Sequence, residues 1–207
     1  MALILEINSQ HPEPRKIHKI VDVLANGGII AYPTDTFYGI GCDLLNKNAI
    51  EKIYKLKRRS PSKPFSFICS DLKNIGEYAQ VSNYTYKTMN RLLPGPYTFF
   101  LEGSRLVPKI MLTRRQSVGI RVPDHPICLS IVQGLGHPVI STSATDPETG
   151  EVLFSPIDIK DKLGHAKDLI VDAGSSVPGR PSSVISLIDD VPEVLREGAG
   201  DVSLFTS

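Results

Sequence analysis

Short apolar runs alternate with amphipathic segments along most of the chain, and this alternation constrains the fold more than any other feature. The apolar runs 28–32, 65–69 and 139–142 have the length and composition of buried strands. The segments 14–26 and 48–57 repeat apolar residues at helical spacing and predict helices. Three more strand patterns follow one another near the end, at 169–172, 184–188 and 194–196. This order predicts an α/β fold with one twisted, mostly mixed open sheet flanked by helices.

The same reasoning assigns the remaining segments. Further strands are predicted at 1–6, 97–101 and 118–122, and further helices at 71–79, 82–93, 126–134 and 157–163. Asp71 is expected to cap the helix at 71–79, and 146–150 is expected to be a mobile loop. Because 207 residues suit one core and no linker or repeat interrupts the pattern, we interpret 1–207 as a single domain.

Composition and charge exclude several classes of function. The net charge of +1 creates no global attraction to nucleic acid or anionic lipid, and no apolar run is long enough to cross a bilayer. The first residues lack the basic flank and long apolar region of a signal peptide. The three cysteines and five histidines show no metal-ligand spacing, so we expect no disulfide framework, no structural metal and a cytoplasmic location.

The stretch from Gly174 to Pro181 has the glycine spacing of a phosphate-binding P-loop but lacks the side chains that a P-loop needs. Its glycines have the P-loop spacing, yet Arg180 replaces the required lysine and Pro181 the metal-binding hydroxyl. Proline also removes a backbone donor that a phosphate would need. The sequence therefore excludes a P-loop at this stretch.

The loop Pro33–Gly41 is the first candidate site. It follows the apolar run 28–32 and contains hydroxyl and carboxyl side chains, then Gly39 and Gly41, which are expected to leave room for a substrate. Polar groups just beyond a strand end are how α/β proteins build binding sites. We interpret it as a ligand-contacting loop; the alternative is an ordinary hydrogen-bonded turn.

Other strand ends carry hydroxyls and arginines. Hydroxyls repeat through 141–145 after an apolar strand; the alternative is a polar edge strand. Arg121 interrupts an apolar strand, where its donor fork suits a carboxylate or phosphate, or a buried aspartate of the fold itself. Ser182 precedes one late strand and Arg196 ends another, whereas Pro94–Thr98 predicts a rigid turn.

Together these strand ends offer hydroxyls and cations but few general bases. No nucleophile–base–orienter triad can be drawn from the sequence. Such a site binds and aligns anions, which fits phosphoryl or nucleotidyl transfer, where catalysis depends mainly on alignment and charge neutralisation.

These motifs, taken in their order along the chain, resemble those of the YrdC-like threonylcarbamoyl-AMP synthase family. The motifs that carry the resemblance are Pro33–Gly39, Lys57-Arg58-Arg59 with Lys63-Pro64, Pro94–Thr98, Arg121-Val122-Pro123 with His125-Pro126, Ser141–Ala144, Ser182-Ser183-Val184 and Arg196-Glu197-Gly198. Thr145 stands where the family usually has asparagine, and proline is delayed to Pro61 in the basic motif; these departures resemble the YciO branch. The resemblance covers about Ile17 to Gly200 and implies a YrdC-like fold with a concave basic cavity.

The resemblance also implies an activity and a set of site residues. The implied reaction joins L-threonine, bicarbonate or CO2, and ATP with Mg²⁺, giving threonylcarbamoyl-AMP and pyrophosphate for tRNA threonylcarbamoyladenosine modification. Threonine would contact Thr36, Arg121 and Ser182. ATP would contact Lys57, Arg59, Lys63, Ser117, Ser141, Ser143 and Arg196. No catalytic residue is assigned; Lys57 and Arg59 would stabilise charge, and Asp35 is expected to orient its loop.

Two alternatives remain open from the sequence. One is a double-stranded RNA- or tRNA-binding protein of the same fold with weak or no synthase activity, because basic residues cluster from Lys55 to Lys63. The other is a purely structural or interaction protein, which leaves the arginines and hydroxyls at the strand ends unexplained.

Overall fold

The computed structural model describes residues 2–58, 65–73, 75–105, 107, 116–164, 168–174 and 178–206. Within these residues a ten-stranded sheet has the order β1-β8-β2-β3-β7-β4-β6-β5-β9-β10. The strands are β1 Leu3–Glu6, β2 Ile30–Tyr32, β3 Gly39–Asp43, β4 Ser66–Ile68, β5 Tyr97–Glu102, β6 Ser117–Arg121, β7 Val139–Ser143, β8 Leu169–Asp172, β9 Ser183–Ser186 and β10 Glu193–Arg196. Parallel pairs such as β4–β6 and antiparallel pairs such as β3–β7 share this sheet, which confirms the predicted mixed α/β fold.

Five α-helices flank the sheet in the described residues. They are α1 Pro14–Ala25, α2 Lys47–Leu56, α3 Asn83–Leu92, α4 Pro126–Leu135 and α5 Pro156–Leu163. Their ends follow local sequence signals: the Asn46 side chain accepts a hydrogen bond from the Ala49 amide, and Ser82 caps α3 in the same way through Thr85. Gly136 ends α4 in the left-handed conformation, with φ of 81°.

The two faces of the sheet are covered differently. Helices α2, α3 and α5 pack their apolar sides on one face, over a core that includes Ile40, Phe67 and Phe99. Helices α1 and α4 cover only part of the other face, where Ile30, Val139 and other side chains form a second core. The uncovered part includes residues of β3, β7, β4, β6, β5 and β9 and many hydroxyl side chains; we call it the open half.

Two sequence expectations about secondary structure are wrong. The predicted helix 71–79 is only a single 3₁₀ turn, Ile75–Glu77, because the Asp71 carboxylate accepts from the Lys73 amide in a turn and Ala79 then bridges to Gly103. The predicted loop Pro33–Gly41 ends early, because Gly39 begins β3 and pairs with Tyr32.

The stretch 146–150, expected to be mobile, is fixed by its own hydrogen bonds. The buried Asp146 carboxylate accepts from the Glu148 and Thr149 amides and pairs with Lys162 at 3.0 Å. Thr145 bridges to Val152 across its base, so the segment is a closed turn.

Among the described helices, none has the length and apolar character needed to cross a membrane.

Candidate functional site

A cavity of about 180 Å³ lies on the open half of the sheet. Its floor consists of side chains from the neighbouring strands β3, β7, β4, β6, β5 and β9. Its walls come from the loop after β2 and from Arg196 at the end of β10. The lining residues that carry hydroxyl or guanidinium groups are Thr34, Thr36, Tyr38, Ser66, Thr98, Arg121, Ser141, Thr142, Ser143, Ser182 and Arg196. The cavity is therefore polar and rich in hydrogen-bond donors.

The loop between β2 and β3 is held in one conformation by internal hydrogen bonds. The Thr34 hydroxyl accepts from the Thr36 amide at 3.1 Å and donates to the Phe37 carbonyl at 2.6 Å. From outside the loop, the Cys128 thiol donates to the Pro33 carbonyl and the Gly179 amide donates to the Thr36 carbonyl. Because the backbone is fixed, the buried Thr36 hydroxyl has a defined position at the cavity.

Arg121, at the end of β6, connects this loop to the sheet floor. One terminal nitrogen, Nη2, donates to Asp35 Oδ1 and to the Thr36 hydroxyl, each at 2.6 Å. The two charged side chains are only 12% and 11% exposed, so the ion pair is largely shielded from water. The buried Arg–Asp pair considered from the sequence does form, and the guanidinium nevertheless lines the cavity.

Arg196 approaches the cavity from the opposite side with a different set of partners. Its Nε and Nη2 donate to the Ser182 carbonyl at 3.0 and 2.8 Å, and Nη2 also reaches the Ser182 hydroxyl at 3.2 Å. A register shift in β10 between Val194 and Arg196 aims the side chain here. Burial, together with the positive charge of Arg121, lowers the pKa of Arg196. The two guanidiniums thus repel each other across the cavity.

Lys57 lies beside the cavity, at the C-terminal end of α2. Its amine donates to the Ser143 carbonyl at 3.1 Å and to the hydroxyl of Thr145. Thr145, which replaces the family's usual asparagine, therefore helps to hold this cation next to the last residue of β7.

The glycines of β3 leave room for neighbouring side chains, and Gly39 also lines the cavity, so the expectation that they leave room for a substrate stays a prediction. A Cβ at Gly41 would lie 2.7 Å from Val139 and 3.0 Å from the Tyr32 ring, and a Cβ at Gly39 would also lie 3.0 Å from that ring. The Tyr32 hydroxyl in turn donates to Ser141 Oγ at 2.6 Å. The glycines thus allow Tyr32 to lie flat on the sheet and orient Ser141.

The structure brings together most of the site residues predicted from the sequence. Six of them line the cavity: Thr36, Arg121, Ser141, Ser143, Ser182 and Arg196. Lys57 lies at its edge. Ser117 is at the other end of β6, about 13 Å from Arg121 at the rise of an extended strand, and does not line the cavity. Arg59 and Lys63 lie outside the described residues.

Sequence reasoning missed two residues that bring hydroxyls to the cavity lining. Thr98, interpreted only as part of a rigid turn, shares a 3.0 Å hydrogen bond with Ser182 and lines the cavity. Ser66 lines it as well, and Thr34, Tyr38 and Thr142 line it from candidate segments in which they had no assigned role. The signal for Thr98 was available, because it alternates with the buried residues Tyr97 and Phe99 and must face the other side of the sheet.

The donor set indicates what the cavity can bind. Among the residues that line it there are two guanidiniums and several hydroxyls but no carboxylate. In the described part of the chain, no group of three histidine, cysteine or acidic side chains has metal-binding geometry. The site therefore suits an anionic ligand.

Comparison with known proteins identifies the family of this chain. The family model Sua5_yciO_yrdC, described as telomere recombination, matches residues 22–198. The chain is 37% identical to the YciO protein of Escherichia coli K12 over 206 residues, which is 99% of this chain and 100% of that protein. It is 36% identical to a putative threonylcarbamoyl-AMP synthase of Methanocaldococcus jannaschii over 94% of this chain and 92% of that one.

Solved structures agree with these sequence matches. The crystal structure of E. coli YciO superposes with a TM-score of 0.92 over 99% of this chain and 100% of that chain, at 37% identity. The crystal structure of P. abyssi Sua5 in complex with L-threonine superposes with a TM-score of 0.87 at 26% identity. That match covers 95% of this chain and 58% of the longer protein. With its sheet order, its cavity and these matches, the chain belongs to the Sua5–YciO–YrdC family.

Proposed function

We propose that the protein is an L-threonylcarbamoyladenylate synthase-like nucleotidyltransferase. It would join L-threonine, CO2 or bicarbonate, and ATP into threonylcarbamoyl-AMP and pyrophosphate, a product used for threonylcarbamoyladenosine modification of tRNA. Family members named threonylcarbamoyl-AMP synthase and a Sua5 relative in complex with L-threonine support this proposal.

The observation that carries the proposal is the convergence of two guanidiniums on one hydroxyl-lined cavity. Arg121 and Arg196 approach it from opposite sides, and the charge of Arg121 lowers the pKa of Arg196. A protein that holds two cations close together loses free energy unless an anion lies between them. A substrate carboxylate near Arg121 and a phosphoryl group near Arg196 would supply that negative charge.

The contacts suggest which residues of the cavity would bind each substrate. Arg121 and the Thr36 hydroxyl would bind the carboxylate and amine of threonine, and Ser182, which accepts from Arg196, would complete that site from the opposite wall. Ser141, Ser143, Lys57 and Arg196 would contact ATP. Arg59, Lys63 and Ser117 remain proposed ATP contacts on the family resemblance alone.

The proposed reaction has two bond-forming steps. The amine of threonine, after losing a proton, attacks CO2; loss of a second proton leaves a carbamate. A carbamate oxygen then attacks the α-phosphorus of ATP in line, the bond to the β-phosphate oxygen breaks, and pyrophosphate leaves. Lys57 and Arg196 would stabilise the charge that builds up on the phosphoryl oxygens. Magnesium that enters with ATP would neutralise part of the triphosphate charge.

Asp35 has the geometry of an orienting residue rather than of a base that acts on substrate. Its Oδ1 accepts from Arg121 at 2.6 Å, and its carboxylate does not line the cavity. The contact fixes both the guanidinium and the loop that carries Thr36. Asp35 would therefore act through Arg121.

The test is pyrophosphate release from ATP, measured with and without threonine and bicarbonate. We expect release that depends on threonine, and a loss of about tenfold or more in Arg121→Ala and in Lys57→Ala, because each removes a charged contact to substrate. Lys55→Ala is the matched control, since Lys55 lies on the same helix with an exposed side chain. Folded protein that releases no pyrophosphate in response to threonine contradicts the proposal.

RNA binding has less support from the described residues. Lys57, in the middle of the basic run, turns its amine towards Ser143 and Thr145 instead of presenting it to an external phosphate. Binding of double-stranded RNA that weakens steeply with salt, and weakens again in Lys57→Ala, would favour this alternative.

A further inference from the structure

Three buried polar atoms of the Asp35–Arg121 ion pair and of His125, whose ring is influenced by the Asp35 carboxylate, have no hydrogen-bond partners among the described residues. They are Asp35 Oδ2, Arg121 Nε and His125 Nδ1. Two of them belong to the ion pair that lies between the β2–β3 loop and β6. Buried polar atoms in native proteins are nearly always hydrogen-bonded, so three unpaired ones in one cluster need a physical explanation.

The local chain path brings His125 to this cluster. Beyond Arg121 the chain turns, with the His125 amide donating to the Pro123 carbonyl, and His125 becomes the residue before the first turn of α4. Its side chain does not cap that helix. One turn later Cys128 donates to the Pro33 carbonyl, so this end of α4 packs against the loop that carries Asp35.

Burial keeps the imidazole of His125 neutral against the effect of nearby carboxylates. Burial lowers the pKa of His125, and the carboxylates of Asp35 and of Asp124, on its own loop, act in the opposite direction. The other groups at the cluster are the Arg121 cation and the Cys128 thiol, whose pKa burial raises. His125 is therefore a neutral imidazole at neutral pH, with one ring N–H.

We propose that His125 is a positioning residue that holds the Asp35–Arg121 pair through one internal water molecule. The water accepts from His125 Nδ1–H and from Arg121 Nε–H, and it donates to Asp35 Oδ2. It then makes three hydrogen bonds, the usual number for a buried water, and all three unpaired atoms are satisfied.

This arrangement would fix the orientation of Arg121 from behind. Nη2 is already held by Asp35 and Thr36, and the water would hold Nε, which leaves the remaining donors directed at the cavity. A pre-oriented guanidinium binds a carboxylate with less loss of side-chain entropy. The inference rests on the proposed function only in taking Arg121 as the anchor of the substrate carboxylate.

Two isosteric substitutions test which nitrogen matters. The amide nitrogen of asparagine in His125→Asn can occupy the position of Nδ1, whereas that of His125→Gln extends to the position of Nε2. We expect the affinity for L-threonine, measured by calorimetry on the full chain, to stay within about twofold in His125→Asn and to fall about tenfold in His125→Gln, because leaving buried partners unpaired costs more than one ordinary hydrogen bond. Equal affinities in the two variants would overturn the proposal.

A second measurement does not depend on threonine. Imidazole ¹⁵N NMR of the protein without substrate should show His125 as the Nδ1–H tautomer, and Asp35→Asn should shift that resonance. An Nε2–H tautomer, or a resonance unchanged by Asp35→Asn, overturns the proposal even in a protein that binds threonine. If threonine does not bind to the wild type but the NMR result is as expected, the proposed function fails and the positioning role stands.

Discussion

The two arginines of the cavity are held by different kinds of partner. Arg121 donates to a carboxylate that is 11% exposed, so part of its charge is neutralised within the fold. Arg196 donates to a carbonyl and a hydroxyl of Ser182, which are neutral, and it keeps its full charge. Arg121 is thus coupled to the stability of the protein, whereas Arg196 has most of its charge available for a ligand.

The largest effect should come from removing Arg121. Arg121→Ala leaves the Asp35 carboxylate buried without its partner, and we expect a loss of about 3 kcal/mol in the free energy of unfolding, measured by urea denaturation. Adding Asp35→Asn to Arg121→Ala should recover part of this loss, because the uncompensated charge is removed. A double variant as unstable as the single one would mean that the ion pair does not account for the difference.

Removing Arg196 should affect the ligand more than the fold. Arg196→Ala exposes the Ser182 carbonyl to the cavity, where water can replace the guanidinium, so we expect a loss in stability of about 1 kcal/mol or less. The KM for ATP should rise about tenfold, because a charge-assisted contact is lost. Arg180→Ala is the control, since Arg180 also donates to a carbonyl, that of Gly198, but does not line the cavity. Equal changes in the two variants would refute the assignment of Arg196.

A smaller effect should follow from removing the Ser182 hydroxyl. Ser182→Ala breaks the hydrogen bonds to Thr98 and to Arg196 but keeps the carbonyl that accepts from Arg196. We therefore expect a loss of about 1 kcal/mol in threonine affinity, smaller than the tenfold effects on ligands expected in the arginine variants, and a loss in stability no larger than that of Arg196→Ala. Thermal denaturation and calorimetry on the same preparation separate the two effects, and a loss in stability larger than that of Arg196→Ala would contradict this order.

The smallest predicted effect is a change in the free energy of unfolding on acidification, caused by His125, which lies near Arg121. Because burial lowers the pKa of His125 in the folded protein, the unfolded chain binds a proton first as pH falls below about 6.5. The contribution of His125 to stability is therefore present above that pH and is lost as pH falls through the lower folded-state value. Urea denaturation at pH 7.5 and 5.5 should show a smaller pH dependence in His125→Asn than in the wild type. An unchanged dependence would remove His125 from the explanation.

Much of the fold could be predicted because its strands are short, apolar and bounded by turn residues. The pattern failed at β3, Gly39–Asp43, because its glycines are typical of loops, and their place in a strand is explained by the side chains of Tyr32 and Val139 that lie against them. It also failed at 71–79, where apolar residues at helical spacing pack into the core from a 3₁₀ turn and a bridge.

The residue types of the site could be predicted, but their pairing could not. An arginine in an apolar strand indicates a buried anionic partner, yet nothing local selects Asp35, which is 86 residues away in sequence. The same holds for Lys57 and Thr145, which are 88 residues apart. Such pairs depend on the order of strands in the sheet, and that order follows from the packing of the whole domain.

The position of β8 between β1 and β2 has a consequence for how the chain folds. Leu3 pairs with Leu169, and Tyr97 pairs with Ser183. Neither the first strand nor the cavity floor can therefore complete its strand pairing before the last quarter of the chain is present. Contacts this distant in sequence slow folding, because the entropy of closing long loops is lost before the contacts form. A chain in which β8, β9 and β10 have not yet joined the sheet would therefore lack part of the cavity, and ligand binding would report that these strands are in place.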